Sequence, residues 1–481
     1  MKKQAFNPYL PNYEYIPDGE PHIFGDRLYV YGSHDKFGSE GFCRNDYVCW
    51  SAPLDDLSDW RYEGVIYKKS QDAHYSEGHY LYAPDVAKGP DGRYYLYYIL
   101  DTMGIMSVAV CDTPAGKYEY YGDVCRPDGS IIGTQDGDQF QFDPGILVDD
   151  DERVFLYSGF GPSMESARRR FPGRILPGCA CFELEKDMIT LREDHGCLIP
   201  QRDFAAGTEY EEHPFFEASS IRKIGGVYYL IYSSSLSHEL CYATSDKPDG
   251  GFRFGGTIVS NGDIGYEGRT QQLNYTGNNH GGIVNVRGTW YVFYHRQTNY
   301  HHFSRQGCAE KIEILPDGSI PQVEMTSCGL NGRPLAGKGR YAAAIACNLM
   351  GAEGACSSVT VEKDHKFHPR FTQTGEDGVE VETQYINNMT NGAKAGFKYF
   401  DLSETTEIAI EVKGAAGAFV VKDGLEGNVL ARIEFPQSEG YAIYKGSIDR
   451  AALGDKCAGK TALFFTAETD GAVDFMSFTL A

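Results

Sequence analysis

An all-β chain in two parts is what this sequence predicts, and three features say so. A polar-start, aromatic-strand pattern occurs five times; no long stretch has a 3.6-residue period; and the pattern changes after Pro321. The five segments read DGEPHIFGDRLYVYGS from Asp18, DVAKGPDGRYYLYYIL from Asp85, DPGILVDDDERVFLYSG from Asp143, EASSIRKIGGVYYLIYSS from Glu217 and HGGIVNVRGTWYVFYHR from His280.

Each segment gives a short strand, a turn and then an aromatic-rich strand. The turns GD, PDG, DDDE, GG and RG are the polar or glycine-rich connections that hairpins require. The starting residues lie roughly 60–75 positions apart, room for four short strands with their loops. Tyr95 and Tyr97 alternate with Leu96 and Tyr98, which suits a sheet packed on both faces. Five such units arranged radially make a five-bladed β-propeller over residues 1–325. In that arrangement Asp18, Asp85, Asp143, Glu217 and His280 occupy equivalent positions and converge on the channel mouth. The Gly-rich stretch 326–340, TSCGLNGRPLAGKGR, reads as a linker. Residues 341–481 then form alternating strands such as TEIAIEV, VLARIEF and TALFFTA, a second all-β domain of β-sandwich type.

A net charge of −23 excludes a nucleic-acid or anionic-membrane partner, which would need a basic footprint, and is compatible with a neutral substrate such as a sugar. The longest apolar run, Tyr94 to Leu100, is far short of the about 20 residues of a membrane span. The two lysines at the N-terminus have no apolar stretch behind them. With 13 cysteines lacking metal-ligand spacing, this leads to an expectation of free thiols in a reducing cytoplasm. The run Asp149, Asp150, Asp151 lacks the ligand spacing of an EF-hand and reads as a solvated hairpin. Trp50 and Trp290 read as core aromatics. His34 and Asp35, in YGSHD after a first-blade strand, are candidates to line a pocket. Neither a GxSxG elbow nor a P-loop occurs.

Over about residues 6–322 these segments resemble glycoside hydrolase family 43, whose members are five-bladed propellers with three acidic residues at the funnel. NPYLPNYEYIPDGEPHIFGDRLYVYGSHD is similar to the family's first blade, and the resemblance makes Asp18 the general base. LYAPDVAKGPDGRYYLYY is similar to the second blade and gives Asp85 as the third acid, which tunes the pKa. FFEASSIRKIGGVYYLIYSS gives Glu217 as the general acid. NNHGGIVNVRGTWYVFYHR implies that His280 sits at the axial channel, where a calcium or other cation, or its waters, is bound; no cofactor is required for the chemistry. Arg305 in NYHHFSRQGCAEKIEI resembles a family Arg that reaches the sugar and the neighbouring acids. One departure is that Asp18 is followed by Gly19, where the family more often has Asp-Pro; the Asp-Pro pair occurs at Asp143-Pro144, so Asp143 is the alternative base. Residues 341–481 resemble carbohydrate-binding module family 6, with Tyr441 and Tyr444 as candidate sugar platforms; a module that only buttresses the propeller is an equal reading.

The implied activity is inverting, exo-acting removal of xylose or L-arabinofuranose from short plant-derived oligosaccharides. Its two carboxyls would stand about 6.5–9.5 Å apart to leave room for a water. A non-catalytic sugar-binding propeller and a retaining five-bladed fructan hydrolase remain alternatives. The choice between xylose and arabinose, and assembly into a homo-oligomer, are left open by the sequence.

Overall fold

In the computed structural model the described residues are 4–299, 301–357, 368–378, 383–457 and 459–481. They are almost entirely β. Short hairpin turns between aromatic strands fold the first two-thirds into five consecutive antiparallel sheets, each running outward in sequence order. The sheets begin with strands Glu20–Phe24, Asp85–Lys88, Gly145–Val148, Phe215–Ile224 and Ile283–Val286; the first four have four strands and the fifth has three.

These five first strands touch one another in sequence order. The last also meets the first, and the Arg222 Nε–H donates to the Ile283 carbonyl at 2.9 Å. The cores show the same closure. Tyr31, Leu96 and Tyr98 pack between sheets one and two, Tyr97 and Leu156 between two and three, and Tyr157 and Tyr232 between three and four. Ile231 and Tyr294 fill the space between four and five, and Val30 with Phe293 that between five and one. Every sheet therefore buries both faces, which is why its strands carry aromatics at successive positions rather than alternating with polar ones. Each fully buried large side chain contributes roughly 1.5–3 kcal/mol by area, so the five inter-sheet cores hold the ring together.

The C-terminal third forms two six-stranded sheets. One is centred on Lys394–Asp401 and Thr461–Thr469, the other on Glu407–Gly414 and Val473–Leu480, and they share a core containing Phe397, Phe419, Phe465, Phe475 and Phe478. The stretch 326–340, expected to be a linker, is instead packed: Ser327, Leu330 and Leu335 are buried, and Leu335–Ala336 pairs in parallel with Phe400 and Asp401. Buried polar contacts join the two parts, with Lys398 Nζ donating to Asp263 and Glu324, both at 2.9 Å. The Tyr441 ring stands edge-on to Tyr385 with the Lys413 ammonium 4.8 Å from its centroid, and Tyr444 packs on Phe435. Among the described residues no helix is long and apolar enough to cross a membrane.

Candidate active site

Where the first strands begin, a cavity of about 370 Å³ opens on the ring. Its polar lining includes Asp18, Asp143, Glu217, Asn278, His280 and Arg305, and its walls carry the rings of Phe42, Tyr82, Phe142, Phe160, Phe216 and Phe303.

Local backbone geometry aims the acids. Asp18 and Asp143 each precede their strand by two residues with positive φ, 57° and 43°, a conformation Asp tolerates better than most residues. Glu217 sits on a bulge: the register against the neighbouring strand slips between Phe215 and Glu217 and again before Ser220, and Ala218 has φ 70°. Such a bulge re-aims one side chain out of the ladder, and Ala at positive φ costs on the order of 1–3 kcal/mol, strain of the kind that collects at functional sites. Gly19 also has a local cause. A Cβ there would lie 2.8 Å from the Tyr9 hydroxyl and 3.0 Å from Val30 Cγ1, so no proline or larger residue fits after Asp18 in this chain.

Asp18 accepts from Arg305 Nη1 at 2.9 Å. The same guanidinium grips Asp35 through Nε at 2.9 Å and Nη2 at 3.1 Å. Burial alone would raise the Asp18 carboxyl, but the Arg305 guanidinium outweighs it and holds Asp18 well below the usual carboxylate range. The Asp18 backbone N–H donates to His295 Nδ1 at 3.3 Å, while His295 Nε2 meets the Asn278 carbonyl at 2.7 Å. That pairing makes His295 a neutral Nε2–H tautomer, in keeping with burial lowering its pKa.

Glu217 moves the other way. Burial and then the charge of Asp18 push it up to about 8, against the opposing pull of Arg305 and a hydrogen bond from Asn278. Asp143 is likewise raised, by burial, by Glu217 and by Asp18; its Oδ2 accepts from the Ala218 N–H at 3.1 Å and lies 3.5 Å from His280 Nδ1. Two like-charged neighbours cannot both ionise cheaply, so Asp143 and Glu217 share a proton near neutrality. His280 is neutral, lowered to about 4 chiefly by burial.

The structure thus brings together Asp18, Asp143, Glu217, His280 and Arg305 of the residues singled out in the sequence. It does not place Asp85 in the cavity lining. The Asp85 carboxylate meets His22 Nε2 at 2.6 Å and accepts from the Val86 and Ile146 N–H groups at 2.7 and 2.8 Å. The reason is register. Asp85 is the first residue of its strand, as Glu20 is of the first, whereas Asp18 and Asp143 stand two residues earlier. Two residues along a strand is about 6.5 Å on the same face. The second-sheet position matching Asp18 and Asp143 is Ala83, which does line the cavity. His34 also lies outside the lining, held by Glu14 at 3.0 Å and the Asp46 carbonyl at 2.9 Å. Asp35 is buried behind Arg305. Sequence reasoning did not single out His295 or Asn278, nor the aromatic wall. Phe142 and Phe216 each directly precede a cavity carboxylate, the one signal that pointed to them.

A protonated and an ionised carboxyl in one aromatic-walled cavity is the equipment of general acid–base glycoside cleavage. The comparisons agree. Residues 17–320 match Glycosyl hydrolases family 43. The chain is 51% identical over 486 residues to the Xylosidase/arabinosidase of Thermoclostridium stercorarium, covering 100% of this chain and 99% of that one. It is 30% identical over 312 residues to Xylosidase/arabinosidase 43A of Humicola insolens, 58% of this chain and 88% of that one. A family 43 enzyme of Xanthomonas citri, solved complexed with xylotriose, shares the fold with a TM-score of 0.51 at 24% identity, over 66% of this chain and 92% of that one. The chain belongs to glycoside hydrolase family 43 and is a glycoside hydrolase.

Proposed function

We propose that this enzyme removes terminal xylose or L-arabinofuranose from oligosaccharides by inversion, with Asp18 as general base and Glu217 as general acid. The observation that carries the reading is the opposite displacement of these two carboxyls within one cavity, Asp18 held ionised and Glu217 raised to about 8. Glu217 gives its proton to the leaving oxygen while Asp18 takes one from the attacking water. Asp143, rather than Asp85, is the third acid of the cavity, buried and raised by the charges of Glu217 and Asp18. Arg305 keeps Asp18 ionised, and His295 orients it through the Asp18 backbone N–H. The names of the Thermoclostridium and Humicola relatives support pentose substrates. The five sheets read as the blades of a β-propeller over residues 1–325, and the contact of the fifth with the first supports that reading. The two C-terminal sheets around one core read as a β-sandwich over 341–481. The half-buried rings of Tyr441 and Tyr444 favour a bracing role for it over sugar binding. The twelve cysteines whose side chains are described are all free, which supports a reducing compartment.

The test uses aryl β-xylosides and aryl α-L-arabinofuranosides, with the product anomer followed by NMR from the first turnover. One of the two series is expected to be turned over with the anomeric configuration inverted; a retained configuration would make one carboxyl a nucleophile and refute the assignment.

The chemistry of His280 fits a channel cation. Its Nδ1 faces Asp143, and its buried Nε2 has no hydrogen-bond partner among the described residues and keeps a lone pair. Calcium takes six to eight oxygens, and the nearby carboxylates are engaged, Glu20 by Arg222 at 2.9 Å and Asp85 by His22. His280 would therefore hold such an ion through Nε2, with waters completing the shell; the ion would supply fixed positive charge beneath the acids. Calcium added to chelator-treated enzyme is expected to raise Tm, and the rise should vanish in His280→Ala. An equal rise in both proteins excludes this site.

A further inference from the structure

One wall of the cavity is built by a segment with no ladder of its own. Residues 36–45 run between the second and third strands of the first sheet without strand structure, and they present Phe42 and Cys43 to the cavity. Phe42 lies against the Arg305 guanidinium, 4.8 Å from the ring centroid, and the Cys43 N–H donates to Asp35 Oδ1 at 3.0 Å. The loop thus touches the same Asp35–Arg305 pair that holds Asp18.

Both ends of this loop are tied by a single carboxylate from the C-terminal unit. Asp377 Oδ1 accepts from the Phe37 N–H at 2.7 Å, and its Oδ2 accepts from Asn45 Nδ2 at 3.0 Å. Asn45 Nδ2 also donates to the Asp35 carbonyl at 3.0 Å. The strand leading to Asp377, Arg370–Gln373, is seated on the ring beside the loop. The Gln373 side-chain carbonyl accepts from the Tyr15 hydroxyl at 2.7 Å, Tyr15 stacks on Phe37, and the Phe371 ring lies 3.9 Å from the buried Arg296 guanidinium.

We propose that Asp377 is a positioning residue for catalysis: through it the C-terminal unit staples loop 36–45 shut and so fixes Phe42, Cys43 and the Asp35–Arg305–Asp18 chain at the cavity. A loop of ten residues without ladder bonds samples many conformations, and closing it at both ends removes that freedom before substrate arrives. The effect reaches the reaction because Arg305 can meet Asp18 in one geometry only while Asp35 stays in place; displacement by about an ångström at such a site costs on the order of 10²-fold in rate. Asp377 itself touches neither Asp18 nor the cavity. On this reading the C-terminal unit is part of the catalytic apparatus, not a detachable accessory.

The inference rests on the assignment of Asp18 and Arg305 made above. The experiment measures kcat, KM and product-sugar inhibition for full-length D377A and N45A, with Tm recorded for each. N45A cuts the same staple from the ring side and leaves the C-terminal unit intact. Both variants are expected to be folded at the assay temperature and to lose tenfold or more in kcat/KM, with weaker inhibition by the product sugar. D377N, which keeps one acceptor, is expected to fall between D377A and wild type. If D377A does not fold, N45A decides. Wild-type kcat/KM in either folded variant overturns the proposal. Asp18→Asn, assayed alongside, separates the two levels: an active D18N removes the assignment beneath, whereas inactive D18N with wild-type N45A or D377A removes only the staple.

Discussion

Glu217→Gln is expected to lower turnover of an aryl pentoside with a poor leaving group by about 10²–10⁴-fold, the usual worth of a positioned general acid. The loss should depend on the leaving group. An activated substrate such as a dinitrophenyl pentoside needs little protonation, so the variant should approach wild type on it. The wild-type pH profile carries the same information. Glu217 sits at about 8 because burial and Asp18 disfavour its anion, so activity should hold through neutrality and fall as pH rises past about 8. In E217Q that alkaline limb should be gone. An unchanged limb, or equal losses on good and poor leaving groups, would show that Glu217 is not the acid.

The same residue links activity to stability. Its folded pKa lies above the ordinary 4.5, so the folded state binds the extra proton. Stability from this group is complete below about 4.5 and is lost as pH rises toward 8. At alkaline pH the penalty is on the order of 5 kcal/mol. E217Q should therefore show a higher Tm than wild type at pH 8 and a matching Tm near pH 4.5, an active-site group whose removal stabilises the fold.

Much of the fold is legible in the sequence because its determinant is local. Consecutive aromatics such as Tyr95–Tyr98 announce strands buried on both faces, and polar turns every few residues announce hairpins; the inter-sheet cores follow from these. The site is legible only as far as register can be read. Asp18 and Glu217 stand beside strands whose starts are marked by text that resembles the family. Asp85 begins the strand itself, two residues past the cavity rim, and Ala83 at the rim carries no chemical flag. Asp143, with its Asp-Pro pair, was in view but in another role. His295 escaped because it closes a run of core residues, Tyr291 to Tyr294, and its contact with Asp18 spans 277 positions of sequence. The link from Asp377 to Phe37 spans 340 positions, from the C-terminal sheets to the first sheet of the ring, a distance at which no local pattern reports.

The second large effect is expected at Arg305. Its guanidinium is buried and shared between Asp18 and Asp35, so Arg305→Met leaves two buried carboxylates without their counter-ion. Breaking one side of such a buried pair costs about 3–5 kcal/mol. Asp18 gains stability from its depressed pKa only above the ordinary carboxylate range, and that contribution fades as pH falls through its folded value. In R305M burial acts on Asp18 without that counter-ion and raises it, so its carboxylate is charged and unpaired at pH 7 and is relieved by protonation as pH falls; the Tm deficit should be large at pH 7 and shrink toward pH 4. Activity follows the same charge. Without Arg305 the burial of Asp18 is opposed only by the two histidines, which burial keeps neutral, so the base becomes protonated at a higher pH. The acid limb of kcat/KM, which in wild type lies below the ordinary carboxylate range, should move up toward neutrality, with kcat/KM lower by about 10²–10³-fold at its maximum. Lysine cannot substitute, because a single ammonium lacks the fork that spans both carboxylates, so R305K should recover part of the Tm and little of the rate. An R305M enzyme whose acid limb stays where the wild type has it would mean that some other group keeps Asp18 ionised.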